Sequence, residues 1–265
     1  MIKKIGKLPK IYIACILIIM YLPILITVVY SFNDSKLVTN WQGGSLRWYR
    51  ELFRDRDLKE ALYNSLLLGV SSSLLAGIIG TISAFSIART HFILHKPLES
   101  ISLMPIMIPE IVLSIVLSSF FYLINIPHGM ITLIIAHTTF CIPYVYLLVK
   151  ARMQGLDKGI EEAARDLGAT PMRTFVDIVI PSILPAVING MLLAFAMSFD
   201  DVILSLAVSG NSVNTLPMKI YTKVKTGITP EMNALAAILL GITLLFVLLL
   251  YYNPFMKKNK NKGES

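Results

Sequence analysis

Ile11–Tyr30 reads IYIACILIIMYLPILITVVY, twenty residues without a single charge. Wound as an α-helix at ~1.5 Å per residue, such a run matches the ~30 Å hydrocarbon core of a bilayer. Ala234–Tyr252, near the other end of the chain, is equally free of charge. The 265 residues are 55% hydrophobic and 15% charged, whereas a water-soluble domain carries about a quarter charged residues. A mean hydropathy of +0.69 points the same way. Lys3, Lys4, Lys7 and Lys10 precede the first run, as they would in a signal peptide. A signal sequence, however, has an apolar region of about 7–15 residues and a small-residue cleavage site. This run is longer and leads into Tyr30-Ser31-Phe32-Asn33, so it reads as an uncleaved first span.

Inward from the two ends, long apolar segments fall at about 11–31, 62–88, 99–123, 130–149, 179–208 and 234–252. They predict an all-α integral membrane protein with six transmembrane helices in one domain, 1–265. The third segment contains Glu110, Pro105 and Pro109; proline is tolerated in a span where neighbours or water satisfy the freed carbonyls. Of the 24 Lys and Arg residues, 15 fall in the segments on the side of the two termini and 9 on the other. That excess predicts a bacterial-type cell membrane protein with both termini cytoplasmic. The net charge of +8 thus reports orientation and not nucleic acid. In the outer segment 32–61, six basic and five acidic residues accompany Trp41, Trp48 and Tyr49, the composition of an interfacial amphipathic element.

Small residues recur four apart in the second span, as Gly69, Ser73, Gly77 and as Ala76, Gly80, Ala84, Ala88. This spacing lets helix backbones approach closely in lipid, either inside the subunit or at an interface with another. Cys15 and Cys141 have neither metal-ligand nor disulfide spacing and read as packing residues. His91 and His95 read as a solvated or headgroup-facing pair, and His137 as a packed, hydrogen-bonded residue. The tail lysines 257, 258, 260 and 262 suit contact with anionic membrane lipid. No metal or cofactor is expected.

The loop before the fifth span, about 151–175, reads ARMQGLDKGIEEAARDLGATPMRTF. Asp157 can cap a short helix running to Leu167, and Gly168 can stop it in the left-handed conformation. Thr170 can cap a second helix with Pro171 in its first position. Leu156, Ile160, Ala163, Ala164 and Leu167 recur at helical spacing. Such a stripe can lie on the bilayer surface or dock into a partner's groove. Glu162-Ala163-Ala164, Gly168 and Ile178-Val179-Ile180-Pro181 resemble the EAA signature of ABC-importer permeases, with Ile180 where Leu is usual. The resemblance implies the type I ABC-importer permease fold, and a coupling helix in which Glu162, Ala163, Ala164 and Gly168 seat against a separate ATPase. Consistently, the chain has no G-x-x-x-x-G-K-[ST] loop with which to cradle nucleotide phosphates, so it is not expected to be an enzyme.

Glu110, Asp200 and Asp201 are charges within spans, where a carboxylate costs ~2.5–3.5 kcal/mol and so usually faces a cavity or pathway. Phe195 and Phe199 precede Asp200, and aromatic faces attract ammonium groups by ~0.5–2 kcal/mol. Acid beside aromatic suits an organic amine. The alternative is that Asp200 or Asp201 caps or ends the fifth span at the outer surface. Met197–Ile203, Thr215–Tyr221 and Thr229–Ala236 resemble the spermidine/putrescine permeases of the PotC-like type. That resemblance implies a second, different permease subunit, two copies of a cytoplasmic ATPase and an external polyamine-binding protein. The alternatives are an ABC permease for another small cationic nutrient, or an ion-gradient-driven secondary transporter. Intramembrane carboxylates fit the latter, but the EAA-like loop does not.

Overall fold

The computed structural model describes residues 7–35, 40–89, 95–227 and 229–252. Their order is α1 (Lys7–Tyr30), α2 (Arg47–Leu52), α3 (Arg56–Arg89), α4 (His95–Met107), α5 (Glu110–Leu123), α6 (Met130–Gln154), α7 (Lys158–Asp166) and α8 (Pro171–Thr174). A π-helical turn, Phe175–Val179, leads into α9 (Ile180–Asp200), followed by α10 (Ile203–Val208), α11 (Leu216–Thr226) and α12 (Pro230–Tyr252). Four described helices are long and apolar enough to cross a bilayer, and α4 with α5 passes as a bent fifth. The 23-residue α12 adds a sixth apolar segment.

The chain divides into two compact units, Met1–Lys59 with Thr222–Ser265, and Glu60–Tyr221. In the first, α12 packs against both α1 and α2. None of the most apolar stretch of α1 is buried, as befits a helix whose solvent is lipid. After α1, Asn33 organises the chain. Its side chain accepts from the backbone N–H of Gln42 at 2.9 Å and donates to the Asn40 carbonyl at 2.7 Å. Its own carbonyl accepts from the Trp48 indole at 2.8 Å. The interfacial element foreseen over 32–61 therefore includes a turn pinned onto the short helix α2.

In the second unit α6 is the buried axis, and its most extensive partner is α9. Glycines set the approach of the helices. A Cβ on Gly80 of α3 would lie 2.9 Å from Val145 Cβ and 3.1 Å from the Tyr146 backbone nitrogen. One on Gly190 of α9 would lie 3.0 Å from Val145 Cα. Gly69 and Gly77 face Phe195 and Met191 of α9 in the same way. Of the two readings of the small-residue stripe, these positions realise the internal one.

Two expected spans are interrupted. The segment 99–123 is two helices with a bend of 109° between them. Pro105 is accommodated inside α4, but Pro109 stands as the residue before α5 with ψ 131°, outside the helical region. Proline disfavours helical geometry in the residue ahead of it and cannot donate to the preceding turn. The segment 179–208 stops at Asp200 and restarts as α10. Upstream of it, the π-turn has the Ile180 N–H bonded to the Phe175 carbonyl, five residues back. Pro181 follows and has no N–H to give to Asp177.

Candidate functional site

The break between α9 and α10 is a buried polar node. The Asp201 carboxylate accepts from the N–H groups of Leu204 and Ser205, at 3.3 and 2.8 Å, and from the Ser205 hydroxyl at 2.9 Å. From the residue before the N-cap Val202, Asp201 thus satisfies the free N–H groups of the first turn of α10, as a capping side chain would, and fixes the start of that helix. His137 of α6 lies 3.4 Å from the same carboxylate, and the two side chains are 0% and 2% exposed. The imidazole also meets Ser198 at 2.9 Å and Ser205 at 3.1 Å. Ser72, halfway along α3, donates to the Leu68 carbonyl and to the Ser198 hydroxyl at 3.0 Å. Ser72, Ser198, His137, Ser205 and Asp201 thus form one connected run of buried hydrogen bonds, as burial of polar groups demands.

Around the node stand the acids and rings singled out in the sequence. Glu110, the first residue of α5, is half-buried with its carboxyl close enough to that of Asp201 for the two to interact. Asp200, one residue earlier than Asp201, is exposed. Phe195 and Phe199 stack with centroids 5.7 Å apart and planes at 23°. The structure therefore gathers Glu110 and Asp201, while Asp200 faces outward from the unit. Asp201 does cap a helix, as one sequence alternative held, but within the packed interior. His137 is the packed, hydrogen-bonded residue expected. Ser72, Ser198 and Ser205 had no sequence signal, because a hydroxyl in an apolar helix looks like any small residue. Cys141 is buried and donates to the Ala194 carbonyl at 3.3 Å. Among the described residues, no group of three His, Cys, Asp or Glu could hold a metal ion.

The second candidate region is the loop carrying α7. The Asp157 side chain accepts from the Gly159 N–H at 2.9 Å, capping α7. Gly168 lies at φ +86°, a conformation that costs glycine little. The Thr170 hydroxyl accepts from the Arg173 N–H at 3.3 Å, with Pro171 opening α8. Leu156, at the start of the apolar stripe, packs against this subunit's own core, but the rest of the stripe is largely uncovered: Ile160 is 55% exposed, Leu167 89% and, beyond it, Met172 69%. Glu162 and Ala163 are exposed with it, and Ala164 is half-buried.

The opposite face of α7 is tied down. Glu161 is buried, and its Oε1 lies 2.5 Å from Arg89 Nη2 at the end of α3. Phe85, one turn earlier in α3, packs its ring 4.3 Å from that of Phe175. Lys150 of α6 pairs with Glu99 of α4. His91 and the tail lysines 257, 258, 260 and 262 lie outside the described residues, as does the side chain of His95.

Residues 76–258 match the family described as binding-protein-dependent transport system inner membrane component. The chain is 42% identical over 231 residues to the putrescine transport system permease protein PotI of Escherichia coli (strain K12), covering 84% of this chain and 82% of that one. It is 40% identical over 247 residues to the spermidine/putrescine transport system permease protein PotC of the same strain, covering 93% and 92%. In fold it is similar to a chain from a bacterial ABC transporter involved in import of the acidic polysaccharide alginate. That match has a TM-score of 0.73 at 13% identity, covering 93% of this chain and 95% of that one. The MetNI methionine ABC transporter, in inward-facing conformations, gives 0.57 at 17% identity, covering 77% and 98%.

Proposed function

The chain belongs to the inner-membrane components of binding-protein-dependent transport systems, and from that premise we propose that it is the permease subunit through which an ATP-driven importer takes up polyamines. The observation that carries the solute class is the exposed Asp200 carboxylate, which follows the stacked rings of Phe195 and Phe199 and precedes the Asp201–Glu110 pair. Two adjacent carboxyls repel when both are charged, and an ammonium group beside them relieves that repulsion. The ring faces add attraction for the same group. Spermidine and putrescine carry several ammonium groups along a flexible alkyl chain, which suits acids and aromatics set in succession. The names of the two relatives support the same class.

In this reading each residue has a distinct part. Asp200 meets the amine. Asp201 is held by the α10 N–H groups and His137, so it supplies a fixed negative potential. Phe195 and Phe199 line the approach. The site must hold its solute loosely, since a tight site would not release it; high affinity belongs to the external polyamine-binding protein. Energy enters at the loop. The exposed stripe of Ile160, Ala163 and Leu167, with Glu162 beside it and Gly168 ending it, is the surface that seats in a cytoplasmic ATPase. The complete machine pairs this subunit with a second, different permease, two ATPase copies and the binding protein, in the inner membrane with both termini cytoplasmic.

The test is uptake of labelled spermidine and putrescine by vesicles holding the full complex, with other amines as competitors. Uptake that needs ATP and is suppressed by unlabelled polyamine is expected. Transport by the purified subunit alone under a proton gradient would overturn the reading.

A further inference from the structure

We propose that Arg89 is a positioning residue that passes movement of the docking helix α7 into α3, and through α3 to the node at the α9–α10 break. This inference rests on the reading of α7 as the ATPase dock. Phe85 and Arg89 are four residues apart and so occupy one face of the last turns of α3. From that face Phe85 packs on Phe175, just after α8, and Arg89 pairs with Glu161 in α7. The loop is thereby held at two points to one helix. The Arg89 and Glu161 side chains are only 12% and 10% exposed. A buried ion pair resists separation, because each parted charge would remain without a partner or water.

The covalent route from the loop to the same node is softer. It runs through the π-turn Phe175–Val179, and α9 itself contains Pro185. Such interruptions are where helices bend. By contrast, α3 has no proline in its 34 residues. Seventeen residues, or about 25 Å of helix, separate Arg89 from Ser72. At that level α3 touches the node directly: Ser72 bonds Ser198, and Gly69 sits against the Phe195 ring. The stiff path from dock to node is therefore α7 to Arg89 to α3.

The experiment uses the full complex with Arg89→Glu, Glu161→Arg and the two combined. ATPase recovered by co-purification, ATP hydrolysis and polyamine uptake are read separately. Each single reversal should retain the ATPase and its hydrolysis within about twofold while uptake per ATP falls about tenfold, and the exchanged pair should recover to within about threefold. Wild-type uptake per ATP in either single variant overturns the proposal, as does an exchanged pair no better than the singles. Loss of the ATPase from the single variants also overturns it, since Arg89 would then merely shape the dock. Should the reversals not accumulate, Arg89→Gln with Glu161→Gln removes both buried charges together. That pair should lower uptake per ATP at least about threefold, and normal coupling in it would sink the idea. A wild-type complex that recovers no ATPase on α7 refutes the docking reading itself, a result distinguishable from all of these.

Discussion

Neighbouring aspartates with opposite surroundings give a sharp prediction about Asp200 and Asp201. Asp201→Ala removes the acceptor of two backbone N–H groups and of the Ser205 hydroxyl. Loss of a helix cap costs about 1 kcal/mol, and stranding buried donors adds about 1–3 kcal/mol. His137 also loses its neighbour at 3.4 Å. The total is about 3 kcal/mol of destabilisation at the α9–α10 break. Asp201→Asn keeps one oxygen for the cap, since asparagine caps about as well as aspartate, and should cost about 1 kcal/mol. Asp200 is exposed, so Asp200→Ala and Asp200→Asn should stay within about 0.5 kcal/mol of wild type. Thermal inactivation of the detergent-purified complex should rank the variants Asp201→Ala, then Asp201→Asn, then Asp200→Ala level with wild type. Polyamine uptake should separate from that ranking: the stable Asp200→Asn assembles normally yet transports poorly, with a raised KM. Asp201→Ala as robust as wild type, or Asp200→Asn with unchanged uptake, would refute the division of roles.

Other perturbations probe the packing and the loop. Gly80→Ala forces a methyl against Val145 and the α6 backbone and should destabilise by about 1–3 kcal/mol. Gly77→Ala meets only the flexible Met191 side chain and should cost less, so equal melting temperatures for the two would discount the close α3–α6 approach. Gly168→Leu places a branched residue at φ +86°, a strain of about 1–2 kcal/mol. It should weaken ATPase recovery by co-purification, as should Glu162→Lys, and full recovery with both would remove the dock from this loop. Thr170→Ala deletes the α8 cap and should have a milder effect, about 1 kcal/mol, on the same assay.

The spans were legible because hydrocarbon thickness imposes a length on every apolar helix. Their interruptions were not. Pro105 and Pro109 look alike in sequence, yet one is absorbed in α4 and the other ends it. Proline sets a local constraint, and the packing of α5 against α10 decides where the chain turns. The caps at Asp157 and Thr170 and the stop at Gly168 were readable for the opposite reason, since each acts within four residues of itself. Adjacent residues on a helix point about 100° apart, so one of Glu161–Glu162 faces inward, and only tertiary contacts select which. At Asp200–Asp201, by contrast, the chain leaves α9 in extended backbone and turns the second carboxyl inward. The Arg89–Glu161 pair left no sequence trace, because its members are 72 residues apart on different helices.

The turn at Pro109 also tempers the field of the acids. Because α5 begins at Glu110, the positive end of that helix starts at the residue whose carboxyl interacts with Asp201. A helix start carries roughly half a positive charge, so the electrostatic well is shallower than a tally of carboxylates implies. A visiting polycation encounters a trough from which it can still escape. Straightening that turn would carry the counter-charge away and convert a passage into a trap.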